Sequence, residues 1–127
     1  MIGHVIAFTA DLLFASNIQA TLGRAGYAVK TVENLAALTE ALSSGEAALV
    51  ILDLHAGVSA EDVVNLADGT PVLAFGRHTE PALLRAAREA GCAAAVARST
   101  FVEQMAALVE RLALLPGGGD GRQLVGK

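Results

Sequence analysis

The apolar residues of this chain fall into short runs separated by stretches with helical spacing, and the alternation repeats five times. His4–Phe8 is the first run, ending at the polar turn Thr9-Ala10-Asp11. From Leu12 to Ala25 the apolar residues Leu13, Ile18 and Leu22 recur at roughly the spacing of a helix face, and Gly26 supplies a stop. Tyr27–Val32 alternates with β-branched residues, which predicts a second strand. Asn34 can cap a helix reaching about Ser44, with Leu35, Leu38 and Leu42 on one face and Gly45 closing it.

The stretch Ala48-Leu49-Val50-Ile51-Leu52-Asp53-Leu54-His55 organises the rest. Its unbroken apolar run predicts a strand buried on both faces, and Asp53 stands where that strand leaves the sheet. Ser59 can cap a following helix, with Asp62 at its third position and Val63, Val64 and Leu66 as its apolar residues, ending near Asp68-Gly69. Pro71–Phe75 predicts a fourth buried strand. Thr79 with Pro81 predicts the start of a helix that runs through Leu83, Leu84 and Ala87 to Gly91. Ala93–Ala97 is a fifth strand by the alternation around it, and Thr100 or Ser99 is the expected cap of a last helix whose core residues are Phe101, Met105, Leu108 and Leu112.

Five strands alternating with five helices imply an α/β, doubly wound, five-stranded parallel sheet. No G-x-G-x-x-G turn follows the first strand, so a dinucleotide-binding fold has no support. The flavodoxin-like order 2-1-3-4-5 is the expected topology. It gathers Thr9, Ala10, Asp11, Asp53, Gly76 and Arg98 around one crevice at the carboxyl ends of the strands.

Composition narrows the function classes. The 127 residues suit one domain, expected over 1–115, with Pro116-Gly117-Gly118-Gly119 opening a flexible tail over 116–127. Net charge is −4 and the nine basic residues are scattered, which argues against nucleic acid as a partner. The single cysteine, Cys92, excludes an internal disulfide and reads as a small buried residue in an Ala-rich run. The apolar N-terminus lacks a basic leader and is interrupted by Asp11, and no charge-free run approaches the roughly 18 residues that span a bilayer. A cytoplasmic protein with no membrane contact is expected.

With these elements in place, the chain resembles the receiver (CheY-like) domains of two-component response regulators over about residues 2–114. The resemblance is carried by Arg24-Ala25-Gly26-Tyr27-Ala28-Val29, Leu49-Val50-Ile51-Leu52-Asp53-Leu54, Thr70-Pro71-Val72-Leu73 and Glu89-Ala90-Gly91-Cys92. Receivers accept a phosphoryl group on an aspartate from a phosphohistidine partner. That transfer rests on positioning and on neutralising spreading negative charge, in which magnesium has a large part.

The resemblance implies that Asp53 matches the phospho-acceptor. The acidic pair that the family uses for magnesium falls on Thr9 and Ala10. The hydroxyl residue ending strand 4 falls on Gly76, the lysine after strand 5 on Arg98, its following proline on Ser99, and the switch aromatic on Ala95. Asp11 is the displaced carboxylate: either a substitute ligand or the cap of the first helix, with the cap favoured. The favoured role of Asp53 is a structural ion pair with Arg98. His55 lies at the rim, where it could gate access or sense pH or simply be solvated, and Arg77 and His78 add positive character beside it.

A degenerate pseudo-receiver is therefore expected: a stand-alone signalling module acting by protein–protein interaction, with no enzyme activity, no metal and no cofactor. Its partner would be a histidine kinase, a phosphotransfer or an effector protein, or a second copy, met through helix 4, strand 5 and helix 5. Leu83, Leu84, Ala87, Ala94, Val96, Met105 and Val109 are the candidate core or interface residues there. The alternative is an atypical response regulator phosphorylated slowly on Asp53, which alone would call for magnesium. A third reading starts from Asp53-Leu54-His55-Ala56-Gly57, which is similar to the D-x-H-x-x-G of cobalamin-binding domains; here the glycine is one residue early and the motif follows the third strand instead of the first.

Overall fold

A computed structural model describes residues 3–113 of the chain. The expected tail over 116–127 and the domain boundary at 115 lie outside the described residues. The elements run β1 (His4–Phe8), α1 (Leu12–Arg24), β2 (Ala28–Val32), α2 (Leu35–Leu42), β3 (Ala47–Asp53), α3 (Ala60–Ala67), β4 (Val72–Gly76), α4 (Pro81–Glu89), β5 (Ala94–Ala97) and α5 (Arg98–Ala113). All strand pairs are parallel and the order is β2-β1-β3-β4-β5, as the element pattern predicts.

The period-two alternation of the strands splits the core into two layers. Val5, Ala7, Leu49, Ile51, Leu73 and Phe75 face α1 and α5, where they meet Phe14, Ile18, Leu22, Phe101, Met105 and Leu108. Ile6, Phe8, Val50, Leu52, Val72 and Ala74 face the other way, onto Leu38, Val63, Ala67 and Ala87. Three of the four phenylalanines gather in the first layer: Phe75 stacks on Phe101 at 4.6 Å between centroids, and Phe14 lies 5.0 Å from Phe75.

Capping residues set most helix starts. The Asn34 side chain accepts from the Ala37 amide and the Ser59 hydroxyl from the Asp62 amide, as expected from their side-chain oxygens. Gly26, at φ +98°, follows the end of α1 in a conformation that side chains rarely adopt.

Four expectations fail locally. Leu13 is 85% exposed, because the buried face of α1 is Phe14, Ile18 and Leu22 at four-residue steps and Leu13 lies about 140° round from Ile18. Leu66 is likewise turned outward, and Val63 and Ala67 form the buried stripe of α3. Thr79 does not begin α4: the cap position is Glu80, without a side-chain bond, in a turn closed by its own amide onto the Arg77 carbonyl. Ser99 and Thr100 do not cap α5, which starts at Arg98 directly after β5 and bends at Gln104, where φ is −119°.

On the face made by α4, β5 and α5, Met105, Val109 and Ala87 are buried, and Leu83, Leu84, Ala94 and Val96 pack partly against the core. The exposed large apolar residues among those described are Leu12 (72%) and Leu13 on α1, Leu66 on α3 and Val102 (43%) on α5. No described helix is long and apolar enough to cross a membrane.

Candidate functional site

The sheet order places the turns after β1, β3, β4 and β5 against one another, and Asp53 lies at their centre as the last residue of β3. Asp53 is 5% exposed and both of its carboxylate oxygens are engaged. Oδ2 accepts from the Thr9 hydroxyl at 2.8 Å, and Oδ1 accepts from the His55 backbone N–H at 2.9 Å. Thr9, itself 2% exposed, is held in place through its amide, which donates to the Val32 carbonyl. Its hydroxyl oxygen also accepts from the Asp11 amide at 3.1 Å. One threonine thus links the end of β1, the start of α1 and the carboxylate of β3.

Asp11 caps α1, its Oδ1 accepting from the Phe14 amide at 3.0 Å. Its Oδ2 meets the Arg98 guanidinium at 3.3 Å. The Phe14 N–H bond is the largest influence holding the Asp11 carboxyl below the usual carboxylate range; desolvation opposes it, and Arg98 adds to the lowering. Arg98 also lies over the Phe14 ring, 4.1 Å from its centroid. The expected Asp53–Arg98 ion pair does not form: Arg98 is drawn to Asp11 and Phe14, and no ion pair reaches Asp53 among the described residues. Hydrogen bonds alone satisfy that buried carboxylate.

The remaining positions singled out in the sequence fall around this centre. Ala10 is exposed in the turn after β1. Gly76 ends β4 and is covered: a Cβ there would stand 3.3 Å from Leu54 Cδ1 and 3.5 Å from His55 Nε2. The His55 ring reaches across to the next loop, where its Nε2 accepts from the Arg77 amide at 3.2 Å. Arg77 pairs with Glu80 at 3.4 Å, and His78 is exposed beside it. Ala95 is buried on the α4 side, with its carbonyl accepting from Arg88 at 2.8 Å. Cys92 is buried as expected, and burial pushes its thiol up to about 11, far from a nucleophile's range.

These donors do not suit magnesium, which takes a near-octahedral set of oxygens. The two positions after β1 carry a hydroxyl and a methyl group instead of carboxylates. The displaced carboxylate of Asp11 is committed to the Phe14 amide and Arg98. Among the described residues no three His, Cys, Asp or Glu side chains come together as a metal cluster.

Sequence reasoning brought Thr9 to the site but not its bond to Asp53, since the two lie 44 residues apart. It also missed the Arg77 amide as a partner of His55. A β3-end carboxylate next to a β1-end hydroxyl was the available signal for the first; nothing local signals the second.

No family model matches the sequence, and neither does any curated protein. Solved structures do match in shape. The receiver domain of NtrX from Brucella abortus superposes with a TM-score of 0.76 over 86% of this chain and 97% of its own, at 14% identity. CheY4, the chemotaxis response regulator of Vibrio cholerae, gives 0.74 over 88% and 99%, at 18% identity. HP1043, an orphan response regulator of H. pylori, gives 0.73 over 87% and 96%, at 15% identity. The chain therefore has the fold of the response-regulator receiver domains, five parallel strands in the order 2-1-3-4-5 between two helical layers.

Proposed function

We propose that this chain is a receiver-like signalling module that works by binding another protein and does not use aspartyl phosphate as its signal. The observation that carries this reading is that Asp53 is buried, hydrogen-bonded at both oxygens and, among the described residues, without an ion pair. A nucleophilic carboxylate needs an accessible oxygen and nearby positive charge to meet a phosphoryl group. Here the Thr9 hydroxyl and the His55 amide each donate to one oxygen of a carboxylate that is only 5% exposed, and Arg98 is paired with Asp11. Gly76 and Ala95 offer neither a hydroxyl nor an aromatic ring with which to read a phosphate. The module acts without catalysis of its own and without a bound metal, in the cytoplasm. Its partner is a kinase, phosphotransfer or effector protein of a signalling pathway, or a second copy, with the α4–β5–α5 face as the contact surface.

The test is an intact-mass spectrum after incubation with acetyl phosphate and magnesium, with Asp53→Asn measured beside it. The expected result is no adduct in either protein. A single phosphoryl adduct that disappears in Asp53→Asn would establish the other reading, a slow response regulator in which the half-exposed Arg98 leaves Asp11 to meet the phosphate.

A further inference from the structure

We infer that the His55 imidazole is a proton-released strut that joins the Asp53 turn to the β4–α4 loop. It lies beside Gly76, at the exposed rim of the crevice. Such a strut presupposes the phosphate-free module proposed above, and names the proton as what acts on that same crevice.

Two separate contacts define it. Leu54 and the exposed His55 ring border the space over Gly76, where a Cβ would be in ordinary contact with Nε2 at 3.5 Å. The same Nε2 accepts the Arg77 amide at 3.2 Å. The His55 backbone N–H meanwhile donates to Asp53 Oδ1, and Thr9 closes on Oδ2. A continuous line of hydrogen bonds thus runs from the end of β1, through the buried carboxylate, to the loop that leads into α4.

Only an unprotonated Nε2 can accept. When the ring takes up a proton, both nitrogens become donors, and Nε2–H then faces the Arg77 N–H. The contact changes from a bond into an opposition of two donors, so the strut must let go. The charges around the ring are mixed. Asp53 lies beneath it on β3, and Arg77 and His78 lie on the β4–α4 loop. Glu80 stands at the head of α4, paired with Arg77. Glu61 of α3 lines with Leu54 the groove between α3 and α4, and Asp11 and Arg98 form their own pair on the far side of the crevice. The released loop is lightly held elsewhere: α4 has no side-chain cap, and the Arg77–Glu80 pair is exposed. Proton uptake at His55 would therefore change the order of the β4–α4 loop and the head of α4, which borders the proposed contact face.

The experiment is an NMR pH titration of the full chain, following the His55 ring nitrogens and the Arg77 amide together. The same titration is run on His55→Gln, whose side-chain carbonyl can accept the same bond without titrating, and on His78→Gln. The expected result is one shared midpoint for His55 and Arg77. Arg77 amide exchange, corrected for its intrinsic pH dependence, should rise by roughly tenfold on the acid side, the size of one lost hydrogen bond. His78→Gln should keep this response and His55→Gln should abolish it. An Arg77 amide that stays flat while His55 titrates overturns the strut, as does an equal response in His55→Gln. Mass spectra of the same samples with acetyl phosphate and magnesium separate the two ideas. An adduct on Asp53 removes the phosphate-free reading, whereas the coupling of His55 to Arg77 bears on the strut alone.

Discussion

Thr9 satisfies one oxygen of a buried carboxylate and takes the amide of the next element's cap, so its hydroxyl matters more than its size. Thr9→Val keeps the shape and leaves Asp53 Oδ2 without its donor in a site that is 5% exposed. An unsatisfied buried polar group costs about 1–3 kcal/mol, and a loss of that size is expected in urea unfolding. Asp11 gives a prediction with a sign in pH. Its carboxyl lies below the ordinary 3.8 in the folded chain, because the Phe14 amide and Arg98 favour the charged form. The unfolded chain therefore takes up the proton first as pH falls. The stability from this group is complete above about pH 4 and is lost below it, through the lowered folded value. Asp11→Asn can still cap the helix but cannot titrate. The melting temperatures of the two proteins should accordingly differ at neutral pH and converge in acid.

At the scale of elements, glycines of opposite character test whether the backbone or the packing decides. Gly91, after α4, has φ +113°, and a Cβ there would stand 3.1 Å from Val64 Cγ1. Gly91→Ala should cost about 1–3 kcal/mol, from backbone strain plus the clash with α3. Gly23 lies within α1 with nothing near its would-be Cβ, so Gly23→Ala should stabilise by up to about 1 kcal/mol. Thermal melts of the two variants should move in opposite directions. The same contrast explains which element boundaries were legible. Asn34 and Ser59 announce helices because a side-chain oxygen beside an amphipathic run has a single local use, to take an amide of the first turn. α4 begins without a side-chain cap bond, marked only by Pro81 at its first position, and α5 continues straight from a strand with no cap to announce it. Leu13 misled for a related reason: the start of a periodic stretch does not fix its phase, which Phe14 and the packing of Phe75 and Phe101 set from a distance.

At the scale of the molecule, the strand order was legible because five unbroken or alternating apolar runs with helices between them leave few ways to cover both faces of a sheet. The site was legible only in outline. Asp53 could be placed from its own strand, but what it touches depends on residues brought from 44 positions away, and Arg98 meets Asp11 across 87. That dependence can be turned into a gain of function. Thr9→Asp with Ala10→Asp adds two carboxylates to the turn after β1, with the first at a position whose side-chain oxygen now lies 2.8 Å from Asp53 Oδ2. Without a cation, carboxylates so close repel, and the double variant should lose on the order of a few kcal/mol. With magnesium the same crowding becomes an oxygen-rich site. Binding to the folded state alone returns about 2.7 kcal/mol when the ion is at a hundred times its Kd. The double variant should therefore melt low in a chelator and rise with added magnesium, while the parent protein stays indifferent. Asp53→Asn in the double variant should relieve much of the repulsion and weaken the magnesium response together. A double variant unmoved by magnesium would mean that the turn after β1 does not aim its side chains at Asp53 closely enough to share an ion.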